Sequence, residues 1–86
     1  MSTILIIDDN ESLRASLVEI LTLELHTTLE AENGLVGLQM IRQHSPDLVL
    51  CDVNMPAMDG IEVLRKIKTE SEFAKIPFII LSANGN

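Results

Sequence analysis

Residues 4–7, Ile-Leu-Ile-Ile, run directly into Asp8 and Asp9. Residues 48–51, Leu-Val-Leu-Cys, run into Asp52, and residues 78–81, Phe-Ile-Ile-Leu, run into Ser82 and Ala83. Each run is too short for a helix and rich in strand-forming residues, so each reads as a buried strand. If the strands are parallel, all three polar endings meet at one edge of one sheet. Three carboxylates gathered there repel one another unless a divalent cation lies among them. The pattern therefore points to an open α/β fold with a metal-dependent site at the carboxyl edge of its sheet.

The segments between the runs fit that fold. The first strand covers residues 3–7. Asp9 or Asn10 is placed to cap a helix, and Glu11 suits its first turn. Leu13, Leu17, Val18, Ile20, Leu21 and Leu25 then recur at helical spacing through about residue 24. Residues 27–31 form a weaker strand. Asn33-Gly34 is a turn, a second helix covers about 35–43, and Ser45-Pro46 stops it. The third strand covers 47–52, and residues 54–60 form a loop broken by Pro56 and Gly60. A third helix with Ile61, Leu64 and Ile67 on one face and a fourth strand over 76–82 complete the order β-α-β-α-β-α-β. Right-handed crossovers turn that order into a parallel sheet with helices on both faces.

The chain's 86 residues suggest one domain. With 47% apolar and 22% charged residues it is not composed like a disordered chain. Thirteen acidic and six basic residues give a net charge of −7, which disfavours nucleic acid and anionic membrane surfaces as partners. The aromatic residues are only Phe73 and Phe78, too few for a base-stacking surface. Cys51 is the sole cysteine, so no internal disulfide forms. Neither a charged leader nor an apolar run of membrane-spanning length is visible, and a cytoplasmic location is the default expectation.

The acids suggest a specific chemistry. A hard cation such as Mg²⁺ takes oxygen ligands and keeps several waters, so one or two carboxylates and a phosphoryl oxygen suit it. Such an ion screens an incoming phosphoryl group from the acidic pocket. Asp52 is then a candidate nucleophile, because a carboxylate can form an aspartyl-phosphate. Ser82 offers a hydroxyl to a phosphoryl oxygen, and Ala83 leaves room for one.

Asp8-Asp9, Asp52 followed by Met55-Pro56-x-Met58-Asp59-Gly60, and Ser82-Ala83, each after its own strand and in this order, resemble the response-regulator receiver domain. The resemblance runs the length of the chain. It implies a flavodoxin-like (CheY-like) sheet with strand order 2-1-3-4. It also implies that Asp52 accepts a phosphoryl group from a histidine kinase or phosphotransfer protein. Asp8, Asp9 and Asp52 would hold Mg²⁺ with the backbone carbonyl of Asn54, and Ser82 would be the switch hydroxyl. On this reading the chain is a signalling module and not an enzyme.

The resemblance also sets an expectation about extent. Receivers continue with a fourth helix, a fifth strand ending in Lys-Pro and a fifth helix, whereas this sequence stops at Asn86. Residues 1–86 are therefore expected to be a receiver truncated to (βα)₃β, with switch and output compromised. Lys66, Lys68 and Lys75 do not stand in for the missing lysine, since none sits at a strand tip. Loss of the fifth strand would leave residues 77–81 as an apolar edge, and a homodimer through the fourth-strand region is the expected consequence. The alternative function is an interaction module that uses this edge and is not phosphorylated. A metal-dependent phosphohydrolase is disfavoured, because Asn54 stands where an Asp-x-Asp motif needs its second acid.

Blander roles are assigned elsewhere. Asp59 and Gly60 start the third helix, and Met55 and Met58 pack the loop. Cys51 is a buried small apolar residue. His26 and His44 lie near element ends in solvent. Leu35 and Val36 are ordinary surface apolar residues.

Overall fold

The computed structural model describes residues 1–53, 55 and 58–81. Seven elements follow in the expected order: β1 (Thr3–Ile7), α1 (Glu11–Leu23), β2 (Thr27–Ala31), α2 (Gly34–His44), β3 (Leu48–Asp52), α3 (Gly60–Lys68) and β4 (Phe78–Leu81). The strands form one parallel sheet in the order β2-β1-β3-β4, as the resemblance implied. Ile7 is level with Ala31 on one side and Cys51 on the other, which brings the ends of β1 and β3 side by side.

Strand periodicity divides the sheet's side chains between two faces. Leu5, Ile7, Val49 and Cys51 share a core with Leu38 and Ile41 of α2, Val63 and Ile67 of α3, and Phe73. On α3 the buried face is Gly60, Val63 and Ile67, so the expected stripe is corrected at Ile61, which is exposed. Spacings of three and four residues admit either stripe. The short approach at Gly60 selects the one with Val63.

The other face carries α1, which contacts β1 and β2. None of its residues is buried, and Leu13, Ile20 and Leu23 are exposed, so its apolar periodicity marks a face only partly covered here. β4 is shorter than expected because Pro77 has no N–H to add to the ladder; its carbonyl still accepts from Val49 N–H at 3.0 Å. Ser45, in the left-handed region at φ 44°, ends α2 by donating its N–H to the Ile41 carbonyl. His26 is half-buried, not solvated as expected, and its Nδ1 accepts from Ser2 N–H at 3.1 Å.

Candidate functional site

Asp8 and Asp9 follow β1, and Asp52 closes β3. Carboxylate oxygens from all three lie within 4.8 Å of one another. The parallel register that aligns Ile7 with Cys51 sets the residue after each, Asp8 and Asp52, side by side at the carboxyl edge of the sheet. Asp8 is 1% exposed and Asp52 7%, while Asp9 is open to solvent. Asn54 and Ser82, the other two expected site residues, lie outside the described residues.

Asp8 is held at every group but one. Its N–H donates to the Ala31 carbonyl at 3.0 Å, its carbonyl accepts from Arg14 Nη1 at 2.6 Å, and its Oδ1 accepts from Asn10 N–H at 2.8 Å. Oδ2 is buried and finds no hydrogen-bond partner among the described residues. Burial raises the Asp8 carboxyl above its ordinary value, and the charges of Asp52 and Asp9 add to the rise. The Asn10 N–H and the Arg14 charge oppose it.

Two helix starts complete the setting. Asn10, not Asp9, caps α1, its side chain accepting from Leu13 N–H at 3.0 Å. Asp59 caps α3 by accepting from Glu62 N–H at 2.9 Å. Gly60 then brings α3 against the tip of β3. A Cβ there would meet the Asp52 carbonyl oxygen at 2.5 Å, its carbon at 3.1 Å and Cys51 Sγ at 3.3 Å. Backbone cannot yield as a side-chain end can, so Gly60→Ala should destabilise the fold by about 1–3 kcal/mol or more and displace Asp52. Urea unfolding checks this; a variant within 0.5 kcal/mol or so of the parent would refute the tight approach.

Cys51 packs beside the site but takes no part in its chemistry. It is fully buried, and burial, with the nearby acids, pushes its thiol up to about 12. The thiol therefore stays protonated, and the donor set is oxygen alone. Arg65, Lys66 and Lys68 lie in the last turn of α3. At 1.5 Å per residue that turn is on the order of 10 Å along the helix axis from Gly60. Arg14 and Gly60 are the site residues that sequence reasoning missed. A lone arginine on an amphipathic helix carries no signal of where its head will land. A glycine at the first helical position was a faint one.

The model of the response regulator receiver domain matches residues 4–86. Sporulation initiation phosphotransferase F of Bacillus subtilis is 42% identical over 82 residues, covering 95% of this chain and 64% of that protein. Protein PilH of Pseudomonas aeruginosa is 38% identical, covering 95% and 68%. Histidine kinase P4 of Formosa agariphila is 38% identical over 99% of this chain but only 6% of its own length. The N-terminal domain of a response regulator receiver protein from Methanoculleus marisnigri superposes with a TM-score of 0.93 at 35% identity, covering 96% of this chain and 68% of that one. The chain belongs to the response regulator receiver domain family, and its place is in two-component signalling. It spans about two thirds of the length of PilH and somewhat less of the sporulation phosphotransferase.

Proposed function

We propose that Asp52 is a phosphoryl acceptor and that Asp8, Asp9 and Asp52, with the backbone carbonyl of Asn54, hold Mg²⁺ beside it. The observation that carries this reading is the convergence of three carboxylates, one with a buried oxygen lacking a partner among the described residues. A hard divalent cation fits that oxygen-only set. When bound, it supplies charge neutralisation for the pocket and for an incoming phosphoryl group.

The chain's own residues do the rest. An Asp52 carboxylate oxygen attacks phosphorus and forms the new P–O bond. The bond from phosphorus to the donor breaks, and its electron pair leaves with the donor atom, an imidazole nitrogen or an acetate oxygen. Asp8 and Asp9 remain acceptor groups that orient the charge in the pocket, and Ser82 donates its hydroxyl to a phosphoryl oxygen. The donor is a histidine kinase or a phosphotransfer protein, a reading supported by relatives named a sporulation initiation phosphotransferase and a histidine kinase. The chain thus carries a phosphoryl group and turns over no external substrate. Among the described residues no helix is long and apolar enough to cross a membrane, in keeping with a cytoplasmic role.

Acetyl phosphate with Mg²⁺ should add one phosphoryl mass to the intact protein, and a chelator should prevent it. Absence of any adduct at saturating Mg²⁺ would sink the proposal.

A second reading concerns association. Among the described residues β4 stands at one end of the strand order, and its Ile79 is 48% exposed. Pairing of two copies along β4 would cover that edge. Sedimentation equilibrium should then show a concentration-dependent dimer weakened by Ile79→Lys; a monomer throughout would refute it.

A further inference from the structure

Arg14 reaches back from the first turns of α1 and makes two bonds in different directions. Its Nη1 donates to the Asp8 carbonyl at 2.6 Å, and its Nε donates to Glu30 Oε1 at 3.0 Å. Glu30 lies on β2 opposite Ile6, and the neighbouring Ala31 carbonyl receives the Asp8 N–H. Both sides of Asp8 are thereby referred to the same strand: its amide directly, its carbonyl through Arg14. We propose that Arg14 is a positioning residue for the acid cluster, a clasp that fixes the β1–α1 turn against β2 and so sets where the Asp8 and Asp9 carboxylates stand.

The side chain suits the task. It is 15% exposed, against 48% for Glu30, so most of it is packed along the protein. A guanidinium donates along several fixed directions at once, whereas a lysine ammonium is a compact point charge on a flexible stem. Arg14→Lys should therefore keep the charge and lose the simultaneous pair of bonds. A cleft of about 230 Å³ lined by Arg14, Glu30, Ala31, Glu32 and Val36 gives a lysine ammonium access to water. Keeping the charge matters for the test. Simple removal of Arg14 would also remove a cation that repels Mg²⁺, and that gain would mask a loss of geometry.

The proposal rests on the metal reading above for its consequence, but its geometry can be read without metal. Two measurements on the 86-residue protein separate them. Mg²⁺ affinity is taken by calorimetric titration. Amide hydrogen exchange at Asn10, whose N–H is bonded to Asp8 Oδ1, is compared with exchange at Val49 and Cys51 in β3. Arg14→Lys should weaken Mg²⁺ binding on the order of fivefold. It should also speed Asn10 exchange by about as much while leaving the β3 amides unchanged. Glu30→Gln, which leaves the Asp8 bond in place, should move both readouts the same way by less.

Where the parent binds Mg²⁺, an affinity unchanged in Arg14→Lys would overturn the proposal whatever the exchange shows. Equal acceleration at Asn10 and in β3 would also overturn it, because that is loss of general stability. If the parent protein binds no Mg²⁺ at all, the metal reading falls, and selective acceleration at Asn10 still establishes the clasp.

Discussion

Asp52→Asn is expected to take up no phosphoryl group from acetyl phosphate under conditions that label the parent, and to unfold as cooperatively as the parent does. An amide has the shape of the carboxylate without its anionic oxygen, so the nucleophile is gone while the packing is kept. The variant keeps the shape of the side chain at the end of β3, so its unfolding midpoint should stay close to the parent's. That pairing of results is informative, because a label lost through misfolding would come with a lowered midpoint. Intact-mass measurement and urea unfolding supply the two readouts. An acyl phosphate is cleaved by hydroxylamine, whereas a serine ester is not. A hydroxylamine-stable adduct on the variant would move the chemistry to a hydroxyl and away from Asp52.

The convergence behind that expectation was legible in the residues alone, for a simple reason. A short apolar run followed by an acid states both where a strand ends and what stands at its end. Parallel topology then makes three such endings neighbours, and Asp8, Asp9 and Asp52 are found together. Helix starts were legible on the same terms at Asn10 and Asp59, which cap by bonding to backbone only three residues away, while Asn33, read as a turn residue, caps α2 in the same way.

Interactions between distant segments were less legible. Arg14 reaches a carbonyl six residues back and a carboxylate sixteen residues on. A side chain with so many rotamers points nowhere until the sheet exists. Gly60 looked like a loop breaker, and its close approach to Asp52 appears only when α3 is laid against β3. The apolar stripe of α1 was read correctly as a helix face, but periodicity states that a face is apolar, not how much of it is covered.

Asp8→Asn should stabilise the metal-free protein at neutral pH and cost it most of its Mg²⁺ affinity. The Asp8 carboxyl is raised above its ordinary 3.8 mainly by burial, with Asp52 and Asp9 contributing. Its folded-state pKa therefore lies above its unfolded-state value. Between the two, the native state binds more protons than the unfolded state, so stability falls as pH rises through that window. At pH 7 the whole deficit is present. Asparagine has no such titration. It keeps an Oδ1 acceptor for the Asn10 N–H and replaces the partnerless oxygen by an amide donor beside the Asp9 and Asp52 carboxylates, which can accept from it. A gain of about 1–2 kcal/mol at pH 7 follows, shrinking as the pH is lowered through the window between the two values and gone below it. Mg²⁺ reverses the order. At ten times its Kd a ligand adds roughly 1.4 kcal/mol to the parent, and the variant, with one ligand carboxylate fewer, gains far less. Unfolding curves for the two proteins should therefore approach or cross as Mg²⁺ is added. If the variant is the less stable protein at pH 7 without metal, Asp8 is not a strained acid, and its burial must be explained by something other than a cation site.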